Sequence, residues 1–397
     1  MNKVLIFVPY QDEDNFYSDG ILTREFAMLY YFHNKGYNNV ISIKKPRTLL
    51  DSKRYEIKES YYPEGTVENK VKDILDRADT IQYHPVLSLN QILKRRGWWE
   101  DGFKKTIHLI ESKLDFSENE YLVYSDNPFA SKLLSFLHDK GCKIFFDVMD
   151  NFAIHPSLNE QERRDALRQY KVIFKFADII SANSDQTVKY MGNHTDKKIF
   201  LVKNGVFVEN EVSGKITLHQ IKQIQEEKKK YKKCIGYIGK LGLRLDAELI
   251  EAVSQALPDY LFVFIGGYLK GQINDKLLEL FDGENNVLHV DGIPSAYVYS
   301  ALNEFDILSI PHSVGKNENG GDPLKLYQYL TRKKPIITTP ILGVAEFKNC
   351  IRITDSKEEW IDFIKKEIDY AYIAEANGYS WEERMSLIYA RIEEIMR

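Results

Sequence analysis

Residues 320–330 read GGDPLKLYQYL, and residues 334–340 read KPIITTP. A glycine pair leads into Asp-Pro, a strong helix-start signal, because Asp322 can cap a helix whose first position is Pro323. A short apolar helix, a basic turn and a buried strand follow. Backbone N–H groups that a glycine-loosened loop presents at a helix start suit a phosphate group. Many α/β proteins contain such a turn without a ligand, so this stretch alone does not identify a phosphate-binding site.

Short apolar runs alternate with stretches of helical periodicity along the whole chain. Strands that alternate with helices and are apolar almost throughout are typical of parallel sheets covered on both faces. Two series of predicted strands each indicate a doubly wound α/β unit. The first series is 4–8, 40–43, 80–83, 121–124, 143–148, 179–182 and 199–202, and the second is 235–238, 261–265, 287–290, 307–310, 336–338 and 351–353.

The chain length of 397 residues predicts two domains, at ~150 residues each as a general prior. A turn at Asn204-Gly205-Val206 follows the last strand of the first series, which places the boundary there. We therefore predict domains at residues 1–205 and 206–378. A helix in residues 379–397 begins at a capping box formed by Ser380 and Glu383. The carboxyl ends of both sheets are expected to face a cleft between the domains.

The composition narrows the functional class. The net charge of −4 does not favour a nucleic-acid partner. The three cysteines are scattered in apolar runs and are expected to be buried free thiols, without metal-ligand spacing. The first residues do not fit a signal peptide, and no apolar run approaches ~18 residues, the length of a membrane span. We expect a cytoplasmic protein without a metal or cofactor.

Two cations stand at the start of the second domain. The predicted strand 235–238 ends in Gly239-Lys240, and Arg244 follows at the start of a helix. Two cations at the mouth of a strand–helix turn can clamp a diphosphate and stabilise a charged leaving group. The alternative is a surface lysine and an arginine paired with Asp246.

The residues that follow three further strands in this domain are also suited to binding a ligand. Gly266 and Gly267 follow strand 261–265 and allow a ligand to approach the backbone closely. The loop 291–294, which contains Ile293, follows the next strand and could receive a nucleotide base. His312 follows strand 307–310, immediately before the glycine-rich loop.

In this order and spacing, residues 235–340 resemble the nucleotide-sugar-binding domain of GT-B glycosyltransferases. The closest resemblance is to the broad retaining group called family four, and to its subset with Asp-Pro-Leu-Lys-Leu-Tyr-Glu-Tyr-Leu. Four other segments are similar to further parts of that family: the glycine-rich loop, the last strand of the first domain, the interdomain turn and the C-terminal helix. They are residues 18–25, 177–184, 203–206 and the helix containing Trp381.

The resemblance implies a GT-B architecture: two Rossmann-like domains facing across a cleft, with the C-terminal helix crossing back to the first. Residues 1–205 would then bind the acceptor, and residues 206–378 the donor. The implied activity is a metal-independent, retaining hexosyl transfer. The donor would be a nucleotide-diphosphate sugar, UDP- or GDP-linked, and the acceptor a glycan or lipid-linked hydroxyl in bacterial surface polysaccharide synthesis.

The resemblance also implies site residues. Lys240 and Arg244 would hold the diphosphate and act in catalysis, although the family's second cation usually stands one residue further on. The backbone N–H groups of Leu324 and Lys325 would also contact phosphate, and Asp322 would either cap the helix or bind sugar hydroxyls. The donor contacts expected are Gly20, Asn204, Gly239, Lys240, Arg244, Gly266, Gly267, Ile293, His312, Gly321, Asp322, Pro323, Leu324, Lys325 and Gln328.

The chain departs from the family pattern at two places. The family usually has two glutamates eight positions apart, and here these positions are Gly320 and Gln328. An amide binds a ribose diol more weakly than a carboxylate does. The family also carries a histidine after the strand matched by 143–148, where this chain offers Asp147 and Asp150. Asp150 would orient the acceptor hydroxyl or the donor sugar, or else cap a helix.

Other interpretations stay open at this point. The region Lys94–Trp99 combines basic residues with two tryptophans, which suits a membrane surface or a lipid-linked acceptor. Alternatively, it is a helix end with its tryptophans in the core. The chain could also be a degenerate transferase that binds a nucleotide sugar without turnover. A sugar-nucleotide epimerase of the same fold is a third reading, with His312 as its candidate proton carrier.

Overall fold

The computed structural model describes residues 2–49, 57–155, 158–207, 218–268, 271–315, 322–366 and 379–397. The chain divides into two compact units, Met1–Lys203 together with Trp381–Arg397, and Asn204–Ser380. Each unit contains one parallel sheet with interleaved helices. The two-sheet α/β fold is therefore confirmed.

The first unit is built on seven parallel strands in the order β3-β2-β1-β4-β5-β6-β7. The strands are β1 Asn2–Val8, β2 Asn39–Ile43, β3 Asp79–Ile81, β4 Asn119–Ser125, β5 Lys143–Val148, β6 Ile179–Ala182 and β7 Ile199–Leu201. The helices are α1 Glu13–Asp19, α2 Arg24–Asn34, α3 Val67–Arg77, α4 Leu89–Lys94, α5 Trp98–Glu111, α6 Ser131–Asp139, α7 Glu160–Phe176 and α8 Asp185–Gly192. Short 3-10 helices lie at Glu59–Tyr61, Arg95–Gly97 and Pro128–Ala130.

The central strands of this sheet are buried on both faces, because helices cover both sides. In β1, the five residues from Val4 to Val8 are all buried, and in β5 so are the five from Ile144 to Val148. After β3 the chain returns to the other side of β1 to form β4. The order of strands therefore reverses between β1 and β4, and ligands bind at such a reversal, outside the carboxyl ends of the strands.

The second unit has six parallel strands in the order β10-β9-β8-β11-β12-β13. The strands are β8 Cys234–Ile238, β9 Leu261–Ile265, β10 Val287–Val290, β11 Ile307–Ile310, β12 Ile336–Thr338 and β13 Arg352–Ile353. The helices are α9 His219–Glu227, α10 Ala247–Ala256, α11 Asp275–Gly283, α12 Val298–Asn303, α13 Leu324–Leu330 and α14 Lys357–Lys365, with 3-10 helices at Lys228–Lys230, Ser295–Tyr297 and Ala345–Phe347. The order reverses between β8 and β11, as it does between β1 and β4.

The second sheet separates two apolar cores, one on each face. Successive side chains of a strand point to opposite faces. In β9, Val263 and Ile265 belong to one core, whereas Phe262 and Phe264 belong to the other. This explains why β9 is apolar at every position, as the sequence indicated.

Helix α15, Trp381–Met396, ends the chain and packs on the first unit. Lys3 pairs with Glu393 at 2.8 Å, and Lys35 pairs with Glu382. The indole of Trp381 is 3% exposed and lies under the Arg24 guanidinium, 5.3 Å from the ring centroid. The C-terminal helix is thus part of the first unit, although the second unit precedes it in the chain.

All thirteen predicted strands are confirmed. The start of α13 differs from its prediction, because this helix begins at Leu324 and Pro323 occupies the N-cap without a side-chain capping bond. Among the described residues, no helix is both long and apolar enough to cross a membrane.

Candidate functional site

The turn after β8 is shaped by Gly239. Its φ of 150° lies in a region that L-amino acids with a side chain rarely adopt. Its N–H donates to the Ile265 carbonyl at 2.9 Å, which holds the turn against the end of β9. A Cβ atom at this position would lie 2.5 Å from Nζ of Lys325. The glycine therefore leaves space for a lysine that comes from a different element.

Lys240 and Arg244 stand on this turn without a counter-ion. Lys240 is exposed and Arg244 is half-buried, and neither forms a salt bridge with another residue in the described part of the chain. The Arg244 Nε is buried and lacks a hydrogen-bond partner there. Asp246 instead caps α10, accepting from the Leu249 N–H at 3.0 Å. The alternative in which Asp246 neutralises Arg244 as an ion pair is therefore wrong.

The side chain of Lys325 reaches from α13 to the same turn. Its Nζ donates to the Tyr237 hydroxyl at 2.6 Å and lies 3.9 Å from the centroid of the Tyr237 ring. It is also 3.2 Å from Nε2 of His312, which follows β11. Tyr237 is in β8, so the strands on both sides of the reversal contribute to one cluster. We call Tyr237, His312 and Lys325 the amine cluster.

The amine cluster disfavours positive charge, because no described carboxylate compensates it. The pKa of Lys325 is lowered well below its usual value by burial and then by Arg244. The pKa of His312 is also lowered strongly, by burial, Lys325 and Arg244. No carboxylate acts on either group in the described chain. A buried cation without a partner is unfavourable, so the arrangement is ready for an anion.

Asp322 does not cap α13, and its contact with sugar hydroxyls stays a prediction. Its carboxylate accepts from the backbone N–H of Asn204 and from the Tyr327 hydroxyl, and its carbonyl accepts from Nδ2 of Asn204 at 3.0 Å. The residue is 8% exposed. It therefore does not cap α13, and it holds the first residue of this unit against the start of that helix.

A glycine-lined surface follows β9 and β10. Gly266 has a φ of 154°, and a Cβ there would meet the Gly239 carbonyl at 1.9 Å. Gly267 has no heavy atom within 4 Å of its Cβ position, and the Cβ position of Gly292 is 3.6 Å from the Gly267 nitrogen. Ile293 is partly buried against the core. The loop after β10 thus lies beside the glycines after β9, as expected from neighbouring parallel strands.

The remaining predicted donor residues lie on or before α13. Gln328 is one helical turn after Lys325, and residues three apart share a helix face. Pro323 is the N-cap of α13, and Leu324 is its first residue. The contact of the Leu324 and Lys325 backbone N–H groups with phosphate stays a prediction. Gly321 lies outside the described residues.

Gly20, expected in a glycine-rich loop, is instead the residue that ends helix α1. The segment between β1 and α2 contains α1, and Gly20 is its C-cap with a φ of 62°. Its N–H donates to the Phe16 carbonyl at 2.9 Å, and a Cβ would lie 2.8 Å from Tyr61. A helix ends here, where the sequence suggested a plain loop. The glycine is required by the cap and the close packing, whatever it binds.

The two aspartates at the end of β5 have different environments. Asp147 is fully buried and pairs with Arg24, with 2.7 Å between Oδ2 and Nε, and it also accepts from Tyr124 and Ser181. Asp150 is only half-buried and does not cap a helix, since α7 begins at Glu160, ten residues later, with Asn159 as its cap. Burial raises the pKa of the Asp150 carboxyl, and His155 and Arg24 oppose this rise. Of the two aspartates, Asp150 is therefore the better candidate for binding a substrate hydroxyl or a proton.

Sequence reasoning missed three titratable groups of the first unit: Glu25 and His155, which interact with Asp150, and Asp126, which interacts with Glu25. Glu25 and Asp126 are almost fully buried, and the acid oxygens Oε1 and Oε2 of Glu25 and Oδ2 of Asp126 lack hydrogen-bond partners within the described chain. Burial raises the pKa of Glu25 to about 7, and burial together with Glu25 raises that of Asp126 well above its usual value. His155 interacts electrostatically with Asp150. The position of Asp126 directly after β4 was the available sequence signal.

Of the two tryptophans in the Lys94–Trp99 region, Trp98 is buried and Trp99 is partly buried against the core of the first unit. Trp98 is 3% exposed, and Trp99 packs edge-on against Phe129 with 5.8 Å between ring centroids. Lys94 pairs with Asp101 at 2.6 Å. The exposed apolar side chains come just before this region, and they are Val86, Leu87, Leu89 and Leu93.

Comparison with solved structures shows the fold. The chain is similar to HepE of Anabaena in complex with UDP and glucose, with a TM-score of 0.64, 13% identity and coverage of 98% of this chain and 100% of that one. It is similar to sucrose-phosphate synthase of Thermosynechococcus elongatus, with a TM-score of 0.63, 12% identity and coverage of 98% and 99%. It is also similar to a putative UDP-N-acetylglucosamine 2-epimerase of Listeria monocytogenes, with a TM-score of 0.55, 11% identity and coverage of 99% and 97%.

These likenesses cover nearly the whole chain and establish the GT-B fold. No protein-family model matches the chain, and no curated protein matches it.

Proposed function

We propose that this protein is a glycosyltransferase that uses a nucleotide-diphosphate sugar and resembles the retaining family-four group. The observation that carries the proposal is a group of two cations, Lys240 and Arg244, and one amine, Lys325, at the strand reversal of the second unit, where no described carboxylate pairs with them. A diphosphate supplies the missing negative charge, and the carboxyl ends of strands at a reversal are where ligands of such sheets bind. HepE, of the same fold, is bound to UDP and glucose.

Catalysis by these residues would be electrostatic. In the reaction, the bond from the anomeric carbon to the diphosphate oxygen breaks, a bond to the acceptor oxygen forms, and the acceptor hydroxyl loses its proton. Negative charge grows on the departing nucleoside diphosphate. Lys240 and Arg244 would stabilise that charge, and fixed cations that meet a developing anion contribute strongly to rate. Retention of configuration follows from the family resemblance.

The nucleoside would lie along the glycine-lined surface, with its base near Ile293 and its ribose near Gln328. Gly239, Gly266 and Gly267 would allow close backbone approach. Asp322 and Asn204 would keep the start of α13 in place through their mutual hydrogen bonds. UDP is the first donor base to test, because HepE binds it.

The acceptor would bind in the first unit, where Asp150 and His155 lie after β5. A half-buried carboxyl beside an imidazole can orient a hydroxyl and receive its proton. Asp147 is excluded from this role, because its oxygens already bind Arg24, Tyr124 and Ser181. A glycan or lipid-linked hydroxyl is the proposed acceptor class, in surface polysaccharide synthesis.

Turnover of the donor tests the proposal directly. Many transferases slowly hydrolyse their donor when water replaces the acceptor, so release of UDP from UDP-sugars measures catalysis without knowledge of the acceptor. We expect release by the wild type and about a 100-fold lower rate for Lys240→Ala. Lys357→Ala is the control, because Lys357 is exposed at the start of α14 in the same unit. Binding of UDP without any release in the presence of acceptors would support the degenerate-transferase alternative.

The epimerase alternative is less well supported by the second unit. His312 contacts Tyr237 and Lys325, and no described carboxylate acts on it. Proton transfer at a sugar carbon needs a base that is free to move a proton, and this imidazole is already engaged. Formation of an epimeric nucleotide sugar in the same assay would favour the epimerase.

We also propose a peripheral contact with anionic membranes through α4 and the residues before it. Leu89 and Leu93 are each 80% exposed and stand one turn apart on α4, beside Lys94 and near the exposed lysines Lys104 and Lys105. Apolar side chains flanked by lysines suit an anionic lipid surface. The tryptophans of the region are not the anchors, because Trp98 is buried and Trp99 is partly buried against the core.

A further inference from the structure

The close polar contacts of the amine cluster cannot all be hydrogen bonds at once, because the cluster has too few protons. The Tyr237 hydroxyl lies 3.0 Å from the Lys240 carbonyl, 3.0 Å from Nε2 of His312 and 2.6 Å from Nζ of Lys325. The carbonyl can only accept, so the single hydroxyl proton goes to Lys240. Tyr237 then accepts from Lys325, and its contact with His312 requires a proton on Nε2.

The contact between Lys325 and His312 instead requires that Nε2 of His312 carry no proton when the amine is protonated. Their nitrogens are 3.2 Å apart, and a protonated amine can donate to Nε2 only if Nε2 carries a lone pair. If Nε2 were protonated on a charged ring, two cations would face each other at this distance. Like charges at such separations do not both stay ionised without a counter-ion. The cluster therefore holds at most one positive charge while no anion is present.

The charged and titratable groups around the cluster reinforce this limit. Arg244 lowers the pKa values of Lys325 and His312 through its own charge, and it acts on Tyr237 in the same sense. Lys240 belongs to the same turn. No described acidic residue acts on any member of the cluster. An anionic ligand at this turn would therefore meet cationic and amine groups that no described carboxylate has neutralised.

We propose that the Lys325 side chain binds the donor's diphosphate, and that the amine cluster takes up a proton when the diphosphate arrives. This inference rests on the proposed function. A diphosphate beside Nζ stabilises the protonated amine and offsets the repulsion from Arg244, so Lys325 takes up the proton in the complex, while His312 stays neutral and accepts from Nζ. Release of the product then returns the proton to solvent.

The position of Lys325 supports direct contact. Its Nζ lies over Gly239, at the turn that presents Lys240, and its side chain is only partly buried. The neighbouring turn after β9 leaves Gly267 open on its Cβ side. The sequence suggested only a backbone contact for this residue. The side chain adds a third cation, from a different element, to the pair Lys240 and Arg244.

Calorimetric titration of the full-length protein with UDP measures both parts of the proposal. Titrations at pH 8 in PIPES, HEPES and Tris buffers share one affinity but differ in the heat of buffer ionisation. The slope of the observed enthalpy against that heat is the number of protons taken up. UDP itself releases no protons at pH 8, because a phosphate group has its second pKa at about 6.

The wild type is expected to show a positive slope, up to about one proton. Lys325→Met should bind UDP about 10- to 100-fold more weakly, with the slope reduced towards zero. Lys325→Arg should restore binding but not the slope, because a guanidinium stays protonated throughout. A purely structural role for Lys325 would not separate binding from proton uptake in this way. Lys357→Met is the control and should match the wild type in both quantities.

UDP binding by the wild type with a slope of zero would overturn this inference and leave the proposed function standing. Absence of binding by UDP, GDP and the other nucleoside diphosphates would overturn both. The wild-type slope does not depend on any variant, so misfolding of Lys325→Met cannot hide the result. The Lys325→Arg variant repeats the test in a protein that keeps the long cationic side chain.

Discussion

The amine nitrogen of Lys325 lies 3.9 Å from the centroid of the Tyr237 ring and 2.6 Å from its hydroxyl. One residue belongs to α13 and the other to β8, so this contact joins the two sides of the strand reversal in the second unit. The aromatic face stabilises a cation that no carboxylate neutralises. The result is an amine placed at the turn where Lys240 and Arg244 also stand, where it becomes a third cation once an anion binds.

Gly239 makes this placement geometrically feasible. We expect Gly239→Ala to displace Lys325, because the new Cβ would lie 2.5 Å from Nζ and the φ of 150° disfavours alanine. The strain predicts a loss of about 1–3 kcal/mol in the free energy of unfolding, together with weaker UDP binding. Urea denaturation and calorimetry measure the two effects. Gly283→Ala is the control, since it has no heavy atom within 4 Å of its Cβ position and should keep the wild-type affinity for UDP. Wild-type stability of Gly239→Ala would contradict this reading of the turn.

The buried pair of Arg24 and Asp147 predicts a large effect on stability. Replacing Asp147 by Ala leaves the Arg24 guanidinium buried and unpaired by this carboxylate, which should cost about 3–5 kcal/mol of unfolding free energy. The partly exposed pair of Lys3 and Glu393, with side chains 31% and 32% exposed, is the comparison, and Glu393→Ala should cost less than about 1 kcal/mol. Chemical denaturation of both variants gives the comparison. Equal losses would mean that the buried pair does not contribute to the stability of the first unit as proposed.

Glu25 predicts a dependence of stability on pH. Its folded pKa of about 7 lies above the ordinary value, because burial disfavours the charged carboxylate. The folded state therefore keeps the proton longer than the unfolded state, and stability falls as pH rises from about 4.5 to 7. Glu25→Gln removes this loss.

We therefore expect Glu25→Gln to gain stability relative to the wild type between pH 5 and pH 8, as measured by urea denaturation at each pH. The exposed Glu118 provides the control variant Glu118→Gln, whose difference from the wild type should stay constant. A difference for Glu25→Gln that does not change with pH would show that Glu25 is ionised in both states across this range.

The exposed leucines of α4 predict binding to anionic lipid. The variant Leu89→Glu with Leu93→Glu should lose sedimentation with vesicles that contain phosphatidylglycerol, because it removes two apolar side chains and adds two negative charges. Leu387→Glu is the control, since Leu387 is also 80% exposed but lies on α15. Failure of the wild type to sediment with these vesicles would refute the membrane contact.

The strands could be predicted from the sequence because burial on both faces makes them apolar at every position. Val4–Val8 and Leu261–Ile265 are clear examples, and both appear where expected. The helix α1 was missed, because its residues are mostly polar and its signal is the glycine cap at its end. Asp322 was misread for a different reason. Its choice between a helix cap and the Asn204 backbone depends on a residue 118 positions away.

Residues of the candidate diphosphate site could be predicted only where a local sequence pattern, such as the end of a strand, marks them. Lys240 and Gly239 stand directly after a strand, which made them visible. The role of the Lys325 side chain needs the packing of α13 against β8, and no local pattern contains that contact. Glu25 in α2 and Asp126 after β4 interact, although they are 101 positions apart in the chain, because β1, which precedes α2, is the neighbour of β4. Long-range proximity of this kind follows from topology and cannot be read from spacing.

Direct binding of nucleoside diphosphates to the purified protein tests the central claim most closely. UDP and GDP would be titrated by calorimetry into the wild type, into the variant Lys240→Ala with Arg244→Ala, and into Lys357→Ala. We expect saturable binding of one nucleoside diphosphate to the wild type and to Lys357→Ala, and a loss of at least about 100-fold in affinity for the double variant. Unchanged affinity in a folded double variant, or no binding to the wild type, would contradict it.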